Sequence, residues 1–406
     1  MQFKHKTLDN GLNIIGEVNP AAQSAAVGFF AKTGARDEND AINGVSHFLE
    51  HMMFKGTDKL TALEVNEAFD RTGAQFNAFT SEENTVYYAA VLPEYLEEVA
   101  DLWTQLMRPS LRDDDFNMEK NVILEEIAMY QDLPHFDVMD RARSLHFNNH
   151  PCGYSVLGTD ESIKNLTSSQ MREYFSRRYA SDNLTLVCCG NFDWDALCKL
   201  AETNCGGWKA SGAKRQTPAY QGNAKTDTVQ KQGLIREHIC IVSPSVSAQH
   251  ELKYAAMLTG VILGDDTGSR LFWSLVDTAK AEIASSQYDP MDGTGAIYSY
   301  LRCGTENSAE VLEITKAELE KLHKDGVTED ELNKARNKVL STITLKNELP
   351  MGRLIEVGIN WTYLEEYRTI DNEVANVKAV TAEQINQMLR EYNPAECTTV
   401  IMRPKG

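Results

Sequence analysis

Residues 116–134, FNMEKNVILEEIAMYQDLP, decide the predicted architecture because a second version of the stretch follows later in the chain. Residues 332–350, LNKARNKVLSTITLKNELP, align with it without a gap and share asparagines, a leucine, an isoleucine and the closing Leu-Pro. An internal repeat of this kind indicates that one structural unit has been duplicated. We therefore predict that the chain folds as two homologous halves.

The repeat continues toward the end of each half. In the first half LTSSQM precedes NLTLVCCG, and in the second half VTAEQI precedes CTTVIMRP at a similar distance. Both halves are thus predicted to run from helix to helix to a terminal strand. Between them, residues 209–233 are rich in Gly, Ala, Lys, Thr and Gln and lack apolar periodicity, which is typical of a linker. We place the two domains at residues 1–208 and 234–406.

Hydrophobic periodicity in the first half predicts an α+β fold. Asn43 and Gly56 are the expected N-cap and terminator of one helix, and Thr61 with Glu64 forms a capping box that opens the next. The predicted strands are 12–17, 25–31, 73–80 and 85–92, of which the last two form a hairpin, and the predicted helices are 44–55, 61–73, 93–107 and 113–131. Each domain is therefore expected to be a mostly antiparallel sheet packed with long helices.

Composition and charge exclude several classes of function. The chain has 406 residues, of which 42% are hydrophobic and 24% charged, and these values are ordinary for a globular protein. Its 40 Lys and Arg against 59 Asp and Glu give a net charge of −19, which repels phosphate backbones and anionic lipid headgroups. We expect neither nucleic acid nor a membrane as a partner.

The cysteines and the N-terminus bear on location. The 8 cysteines form no CxxC pair, and several lie in apolar stretches such as LTLVCCG, which is typical of buried thiols in a reducing compartment. The chain opens without a basic segment followed by an apolar run, and it contains no apolar run of about eighteen residues. A cytoplasmic protein is expected, provided that no leader preceded this sequence.

The stretch HFLEH places two histidines four residues apart with a glutamate between them. His47 and His51 share a helix face at this spacing and can direct their imidazoles to one point, as a zinc chelate requires. Glu50 lies on nearly the same face, where its carboxylate can reach a water on the metal. This HxxEH order is the inverzincin signature. Solvated or core histidines are the alternative that the motif alone leaves open.

Three stretches, HFLEHMMFKGT, GAQFNAFTSEENTVYY and EKNVILEEI, together resemble the pitrilysin/insulinase zinc metallopeptidases, especially their mitochondrial processing peptidase-like branch. The resemblance covers the whole chain and implies one Zn²⁺ per chain. In that family a downstream glutamate is the third ligand, which implies Glu126 here, with Glu125 as the adjacent competitor. The family also implies that Glu119, two helical turns earlier, supports the ligands.

The resemblance further implies a zinc endopeptidase that cleaves peptides or unfolded polypeptide segments, with Glu50 as the catalytic base. In the family a strand beside the metal pairs with substrate, which carries this role to Asn77, Ala78 and Phe79. A peptide added to a strand gains main-chain hydrogen bonds that depend little on its sequence. An ordinary core strand is the alternative for these three residues.

The duplication allows the two halves to be compared at the candidate site. The aligned positions of the second half carry no ligand type: Thr342 replaces Glu126, Ala335 replaces Glu119, and Ala255, Leu258 and Thr259 replace His47, Glu50 and His51. All five positions differ together. The constellation in the first half therefore behaves as one functional unit, and the second half is predicted to lack a metal site.

Partners are implied by the resemblance alone. Family members enclose substrate in a chamber of four such domains, so this two-domain chain is expected to be half of a clamshell, as a homodimer or with a companion subunit. Active relatives also contribute an arginine and a tyrosine, but Tyr298, Tyr300 and Arg302 lack the expected spacing and stay unassigned. A non-catalytic scaffold subunit and a zinc amidase acting on small molecules are the alternative functions.

Overall fold

Two β-sheets with closely related strand orders organise the chain, which the computed structural model describes at residues 1–220 and 222–405. Gln221, inside the predicted linker, and Gly406, at the end of the predicted second domain, lie outside the described residues. The strands are β1 Gln2–Thr7, β2 Asn13–Val18, β3 Ala25–Ala31, β4 Gln75–Thr80, β5 Thr85–Val91, β6 Leu184–Gly190, β7 Thr226–Lys231, β8 Glu237–Ser245, β9 Ile283–Pro290, β10 Gly295–Cys303 and β11 Thr398–Pro404.

Helices join and cover these strands. They are α1 Val45–Met53, α2 Ala62–Thr72, α3 Leu96–Leu106, α4 Asp113–Asp132, α5 Pro134–Phe147, α6 Asp160–Asn165, α7 Ser168–Arg178, α8 Trp194–Cys205, α9 Lys253–Leu263, α10 Ser308–Asp325, α11 Glu329–Lys346, α12 Pro350–Leu364, α13 Ile370–Ala379 and α14 Ala382–Glu391. A π-helical turn forms at Phe272–Val276. None of the helices in the described part of the chain is long and apolar enough to cross a membrane.

The two sheets repeat one topology. The first has the order β1-β2-β6-β3-β5-β4, and the second has the order β7-β11-β8-β10-β9. In each sheet one pair is parallel, β2 with β6 and β7 with β11, while the other neighbours are antiparallel. Strand β1 is the addition in the first sheet. The predicted α+β fold of two homologous halves, each a mostly antiparallel sheet with long helices, is confirmed.

Two compact units form around these sheets, and neither is continuous in sequence. Unit 1 comprises Met1–Ile127, Tyr154–Arg215 and Thr344–Arg368, and unit 2 comprises Ala128–Gly153, Gln216–Ile343 and Thr369–Gly406. Helix α12 of the second half thus belongs to unit 1, and α5 of the first half belongs to unit 2. The predicted domains, 1–208 and 234–406 with a linker at 209–233, describe the duplicated sequence and remain a prediction. The compact units differ from them at α5 and α12, each of which belongs to the unit of the other half.

Helix α12 covers one face of the first sheet. Leu354, Val357 and Trp361 pack against buried sheet residues that include Phe30 and Val187. The apolar spacing of three and four residues places these three side chains on one stripe of the helix. Removing this face from water contributes roughly 1.5–3 kcal/mol for each fully buried large side chain.

A buried ion pair fixes the start of α12 on the same sheet. Arg353 Nε donates to Glu17 Oε1 over 3.0 Å, and Tyr367 Oη donates to Glu17 Oε2 over 2.6 Å. Both charged side chains are almost fully buried. Because an unpaired buried charge is costly, this pair selects one placement of the helix rather than adding much net stability.

Helix α5 packs on the second sheet in the corresponding manner. Val138, Ala142 and Phe147 contact a cluster that includes Cys240 and Val242 of β8. Lys231 of β7 donates to Asp137 of α5 over 2.7 Å. The two helices that follow the repeated Leu-Pro therefore have equivalent roles in the two units.

The linker carries no helix or strand at its described residues before β7, but hydrogen bonds hold it to the protein. The Ser211 N–H donates to Asp182 Oδ1 over 3.0 Å, and Arg215 Nη2 donates to Asp37 Oδ2 over 2.7 Å. The segment with linker composition therefore follows a defined path at these residues. The cysteines are free, and all except the half-buried Cys397 are buried, as predicted for thiols.

Most predicted elements of the first half are confirmed, with one correction. The capping box of Thr61 and Glu64, the end of α2 at Gly73 and the β4–β5 hairpin are present. The prediction that Asn43 caps α1 is wrong because Gly44 is the N-cap, with φ +93° and ψ −1°. Asn43 Nδ2 instead donates to Glu38 Oε2 over 2.9 Å. Glycine is favoured at Gly44 because side chains rarely tolerate this left-handed backbone.

Gly358→Ala is expected to destabilise unit 1. A Cβ atom at this position of α12 would lie 2.3 Å from the Phe30 ring, which is fully buried. Overpacking costs about 1–3 kcal/mol, whereas the better helix propensity of alanine returns only about 1 kcal/mol. The unfolding midpoint in urea should therefore fall. Gly207→Ala is the control because no atom lies within 4 Å of its Cβ position, and an equal midpoint for the two variants would contradict the packing of α12 on this sheet.

Candidate metal centre

A buried carboxylate anchors the start of helix α1. Glu38 Oε2 accepts from the Gly44 N–H over 2.6 Å, and Glu38 Oε1 accepts from the Ser46 N–H over 2.8 Å. The first N–H groups of a helix have no partner within the helix, so an acceptor from outside satisfies them. Burial raises the pKa of Glu38 to about 8. Glu38 therefore stabilises the start of α1 at Gly44.

One turn of α1 brings the two histidines of the motif side by side. The ring centroids of His47 and His51 are 4.8 Å apart. Glu126 of α4 lies opposite them, with its Oε2 atom 3.7 Å from His47 Nε2 and 3.4 Å from His51 Nε2. The three potential ligand atoms all lie within 4.8 Å of one another. The exposed Glu125, the competitor that the sequence left open, is not in this group.

Aromatic and aliphatic packing holds α4 against α1. The rings of Phe48 and Phe116 stack with centroids 4.8 Å apart and an interplanar angle of 6°. Ile123 and Ile127 of α4 are buried in the same core. Because Glu126 precedes Ile127 on this helix, its position relative to α1 follows from the packing of its neighbours.

Glu119 connects the two helices through hydrogen bonds. Its Oε1 atom lies 2.8 Å from His51 Nδ1, and its Oε2 atom forms an ion pair with Lys55 Nζ. The Glu119 side chain is only 4% exposed. A carboxylate at Nδ1 places the proton on that nitrogen and leaves the Nε2 lone pair directed toward Glu126 and any bound cation. This is the arrangement expected of a metal-ligating histidine.

The charge states of the site depend on burial and on neighbouring charges. Burial, with a contribution from His51, lowers the pKa of His47 to about 3, so this imidazole is neutral and can donate a lone pair. Burial raises the pKa of Glu126 above its ordinary value. Burial alone would lower the pKa of His51, but Glu119, Glu126 and Glu50 outweigh it and raise the pKa. Without a cation the site is thus a cluster of competing charges.

The residues present fit a zinc ion. Glu126 Oε2 is buried and has no hydrogen-bond partner among the described residues. Two imidazole nitrogens and a carboxylate oxygen form a donor set that is typical of catalytic zinc, which leaves one position open. A buried oxygen without a hydrogen bond is costly, and coordination of a cation would satisfy it. These observations favour His47, His51 and Glu126 as the ligands.

Glu50 lies beside the three potential ligands and does not join them. Its Oε2 atom accepts a hydrogen bond from Thr80 Oγ1 over 2.6 Å. Burial raises the pKa of Glu50, although the Thr80 hydroxyl opposes this effect. A carboxylate with a raised pKa next to a metal site is suited to accept and return a proton.

Strand β4, which carries the predicted substrate residues, is an edge strand of the first sheet. Asn77 is exposed, and Ala78 and Phe79 are half-buried. The Ala78 N–H donates to Asn77 Oδ1 over 2.8 Å. A side-chain amide thus satisfies this main-chain donor. Among the described residues no strand pairs with the outer side of β4, and edge strands present unpaired main-chain groups.

The second half has core residues at the positions that correspond to the motif on α1, whereas Thr342, the counterpart of Glu126, is exposed. Helix α9 packs beside β9 as α1 packs beside β4, and its Ala255, Leu258 and Thr259 are buried. Thr259 Oγ1 donates to the Ala255 carbonyl over 2.7 Å, inside the helix. Within the described part of the chain, His47, His51 and Glu126 form the only group of three or more potential ligands at metal spacing.

Comparison with known proteins identifies the family. Residues 13–160 match the model described as Insulinase (Peptidase family M16), and residues 165–339 match the model described as Peptidase M16 inactive domain. A Bacillus subtilis protein, "Uncharacterized zinc protease YmxG", is 31% identical over 100% of this chain and 99% of its own length. The chain belongs to the M16 peptidase family. The resemblance to insulinase-type metallopeptidases is thereby confirmed.

Other M16 relatives agree with this assignment. An uncharacterized zinc protease of Mycobacterium bovis is 29% identical over 99% of this chain and 93% of its own length. Among solved structures, a protease from Helicobacter pylori superposes with a TM-score of 0.90 at 22% identity, over 99% of this chain and 100% of its own. An M16 inactive domain from Pseudomonas fluorescens gives a TM-score of 0.91 at 16% identity, over 100% and 98%. At these identities the solved structures show the fold alone.

Three residues of the M16 site were missed from the sequence. Glu38 and Lys55 resemble surface charges in the printed sequence, and Thr80 resembles an ordinary strand residue. The one available signal was the spacing of Lys55, which follows His51 by four residues and so falls on the same face of the predicted helix 44–55. Tyr300 and Arg302 of β10 bond to His238 and Glu282, over 2.8 and 2.9 Å respectively, and their roles stay unassigned.

Glu119→Gln is expected to weaken zinc binding. The amide can offer its NH₂ group to His51 Nδ1, which would favour the wrong tautomer, and it loses the ion pair with Lys55. Loss of such a supporting carboxylate typically costs about 10- to 100-fold in metal affinity. Competition with a zinc-binding dye measures the effect. Glu125→Gln is the matched control on the same helix, and equal affinities for the two variants would contradict the role of Glu119.

Proposed function

We propose that this M16 chain is a zinc-dependent endopeptidase that cleaves peptides or unfolded polypeptide segments. The observation that carries the proposal is the convergence of His47, His51 and Glu126, with a second carboxylate, Glu50, close enough to interact with His51 and Glu126. His47, His51 and Glu126 would hold one Zn²⁺ per chain, with Glu119 orienting His51. The names of the curated relatives as zinc proteases support the same function.

The proposed mechanism assigns proton transfer to Glu50. A zinc ion in such a site supplies Lewis acidity toward a substrate carbonyl and toward water. Glu50 would take a proton from the attacking water and deliver it to the nitrogen of the leaving amine, so that one carboxylate serves as base and then as acid. Burial, which raises the pKa of Glu50, favours this exchange of one proton in both directions. His47 and His51 would hold the metal as neutral imidazoles, and Glu119 would keep the proton of His51 on Nδ1.

Strand β4 is the proposed docking edge for the substrate backbone. An extended peptide would pair with Asn77, Ala78 and Phe79, which lie a few residues before Thr80, the partner of Glu50. Main-chain pairing would fix the scissile bond near the metal with little dependence on side chains. This edge would suit unfolded segments, because a folded protein cannot offer an extended strand easily.

Partner subunits are part of the proposal. We propose that two copies enclose the substrate as a homodimer in the cytoplasm, or that a companion subunit completes the chamber. The second candidate function is a partner-dependent or non-catalytic subunit, which the unassigned Tyr298, Tyr300 and Arg302 favour. The complete set of His47, Glu50, His51 and Glu126 favours the catalytic function.

Glu50→Gln is expected to abolish turnover and leave zinc bound, because the amide cannot take up the proton. A loss of about 10²- to 10⁴-fold in kcat is typical of general-base removal. Zinc per protomer and cleavage of a mixed peptide library, with and without a chelator, test both parts. Restoration of activity by added zinc after chelation is the control.

The outcomes separate the candidate functions. Chelator-sensitive cleavage by the wild-type chain alone supports a self-sufficient peptidase and a homodimer. Stoichiometric zinc without cleavage points to a missing companion subunit. Undiminished cleavage by pure Glu50→Gln protein would show that Glu50 is not the base.

Cationic peptides are expected to be cleaved faster than anionic ones of equal length. The net charge of −19 attracts basic substrates over long distances, and salt screens that attraction. Values of kcat/KM for paired peptides should therefore converge as the salt concentration rises. Equal values at every ionic strength would rule out electrostatic attraction as a source of selectivity.

A further inference from the structure

Thr80 is the side chain that bonds the proposed catalytic base. Its hydroxyl is 2.6 Å from Glu50 Oε2, and a hydroxyl facing a carboxylate donates its hydrogen. A glutamate side chain has several rotatable bonds, so a single directed hydrogen bond restricts where its carboxylate points. Thr80 is the last residue of strand β4 and follows Phe79.

The turn after Thr80 is itself held rigidly by its own hydrogen bonds. The Ser81 N–H donates to the Asn84 carbonyl over 2.8 Å, and the Asn84 N–H donates to Ser81 Oγ over 3.0 Å. The Arg36 N–H donates to the Glu82 carbonyl over 2.8 Å. These bonds set the direction in which β4 ends and thus the place of the Thr80 hydroxyl.

Side chains from three distant segments of unit 1 meet on this turn. Arg36 Nη1 donates to Glu83 Oε1 over 2.6 Å, and Tyr363 Oη of α12 donates to Glu83 Oε2 over 2.7 Å. Arg215 donates to the Glu83 carbonyl. Glu83 is buried, so its bonds to these groups are shielded from water and hold the turn firmly.

We infer that Thr80 is a positioning residue, which directs the Glu50 carboxylate and is held in place by the clamped turn 81–84. The inference rests on the proposed function of Glu50 as the base. Asn77, Ala78 and Phe79 on the same strand form the proposed docking edge, so one rigid hairpin would align both the substrate and the base. Thr80 would act through the Glu50 carboxylate, to which its hydroxyl donates.

The test compares Thr80→Val, which removes the hydroxyl at constant shape, with Thr80→Ser, which keeps it. Thr80→Val is expected to lower kcat about 10- to 100-fold, as misplacement of a catalytic group does, with KM and zinc content unchanged. Thr80→Ser should stay near the wild-type kcat. Thr85→Val is the matched control, because Thr85 pairs with Thr80 but its hydroxyl donates to the Thr33 carbonyl.

A second readout does not need activity. In crystals of the metal-free full chain, the Glu50 carboxylate should occupy one position in wild type and Thr80→Ser and several positions in Thr80→Val. Thr80→Ala replaces Thr80→Val if the valine variant does not fold. Wild-type kcat in Thr80→Val would overturn the inference, and so would a loss of kcat in Thr80→Ser or in Thr85→Val as large as that in Thr80→Val. Inactive wild-type protein would instead count against a self-sufficient peptidase, and the Glu50 positions would still decide the role of Thr80.

Discussion

The bridge that Glu119 makes between α1 and α4 is the constraint on which the site depends. One buried carboxylate contacts the His51 imidazole on α1 and the Lys55 ammonium in the turn that follows α1. The charge of the Glu119 carboxylate is compensated only if α1 and α4 cross where His51 and Lys55 come within reach of it. The same crossing sets Glu126, two turns further along α4, opposite both histidines. The tautomer of His51 therefore depends on this contact, and the register of α4 on α1 depends on it together with the packing of the α4 isoleucines.

Duplication provided two copies of the fold, and the chain uses them differently. The sheets share their topology, but unit 2 buries alanine, leucine and threonine where unit 1 has its potential ligands. A buried cluster of charges costs stability, so a copy without the site gains from an apolar core. The match of residues 165–339 to the M16 inactive domain agrees with this division.

The second half nevertheless contributes to the unit that holds the site. Helix α12 covers the first sheet, Arg353 neutralises the buried Glu17, and Tyr363 holds the turn next to Thr80. A chain that stopped at residue 208 would leave Phe30 and its neighbours without cover and Glu17 without its cation. The exchanged helices thus make the halves depend on one another for folding, although the potential ligands all come from the first half.

Local signals in the sequence were enough for the architecture and for the motif. The repeat predicted the duplication, periodicity predicted the hairpin and the long helices, and the spacing of His47, Glu50 and His51 predicted one shared helix face, because each depends on neighbours along the chain. Packing between distant segments decided the rest. An amphipathic helix must bury one face, but only the tertiary structure determined that α5 and α12 cover their particular sheets.

The placement of several single side chains also could not be predicted from the sequence. The placement of Glu126 among the ligand atoms and of Glu125 in solvent depends on the rotation of α4 against α1, which its buried isoleucines determine. The roles of Glu38, Lys55 and Thr80 depend on partners that fold into reach only when strands and helices assemble. The sequence by itself determined which chemistry the chain can perform. The tertiary structure decided which atoms meet to perform it, because hydrogen bonds and ion pairs require distances that only packing sets.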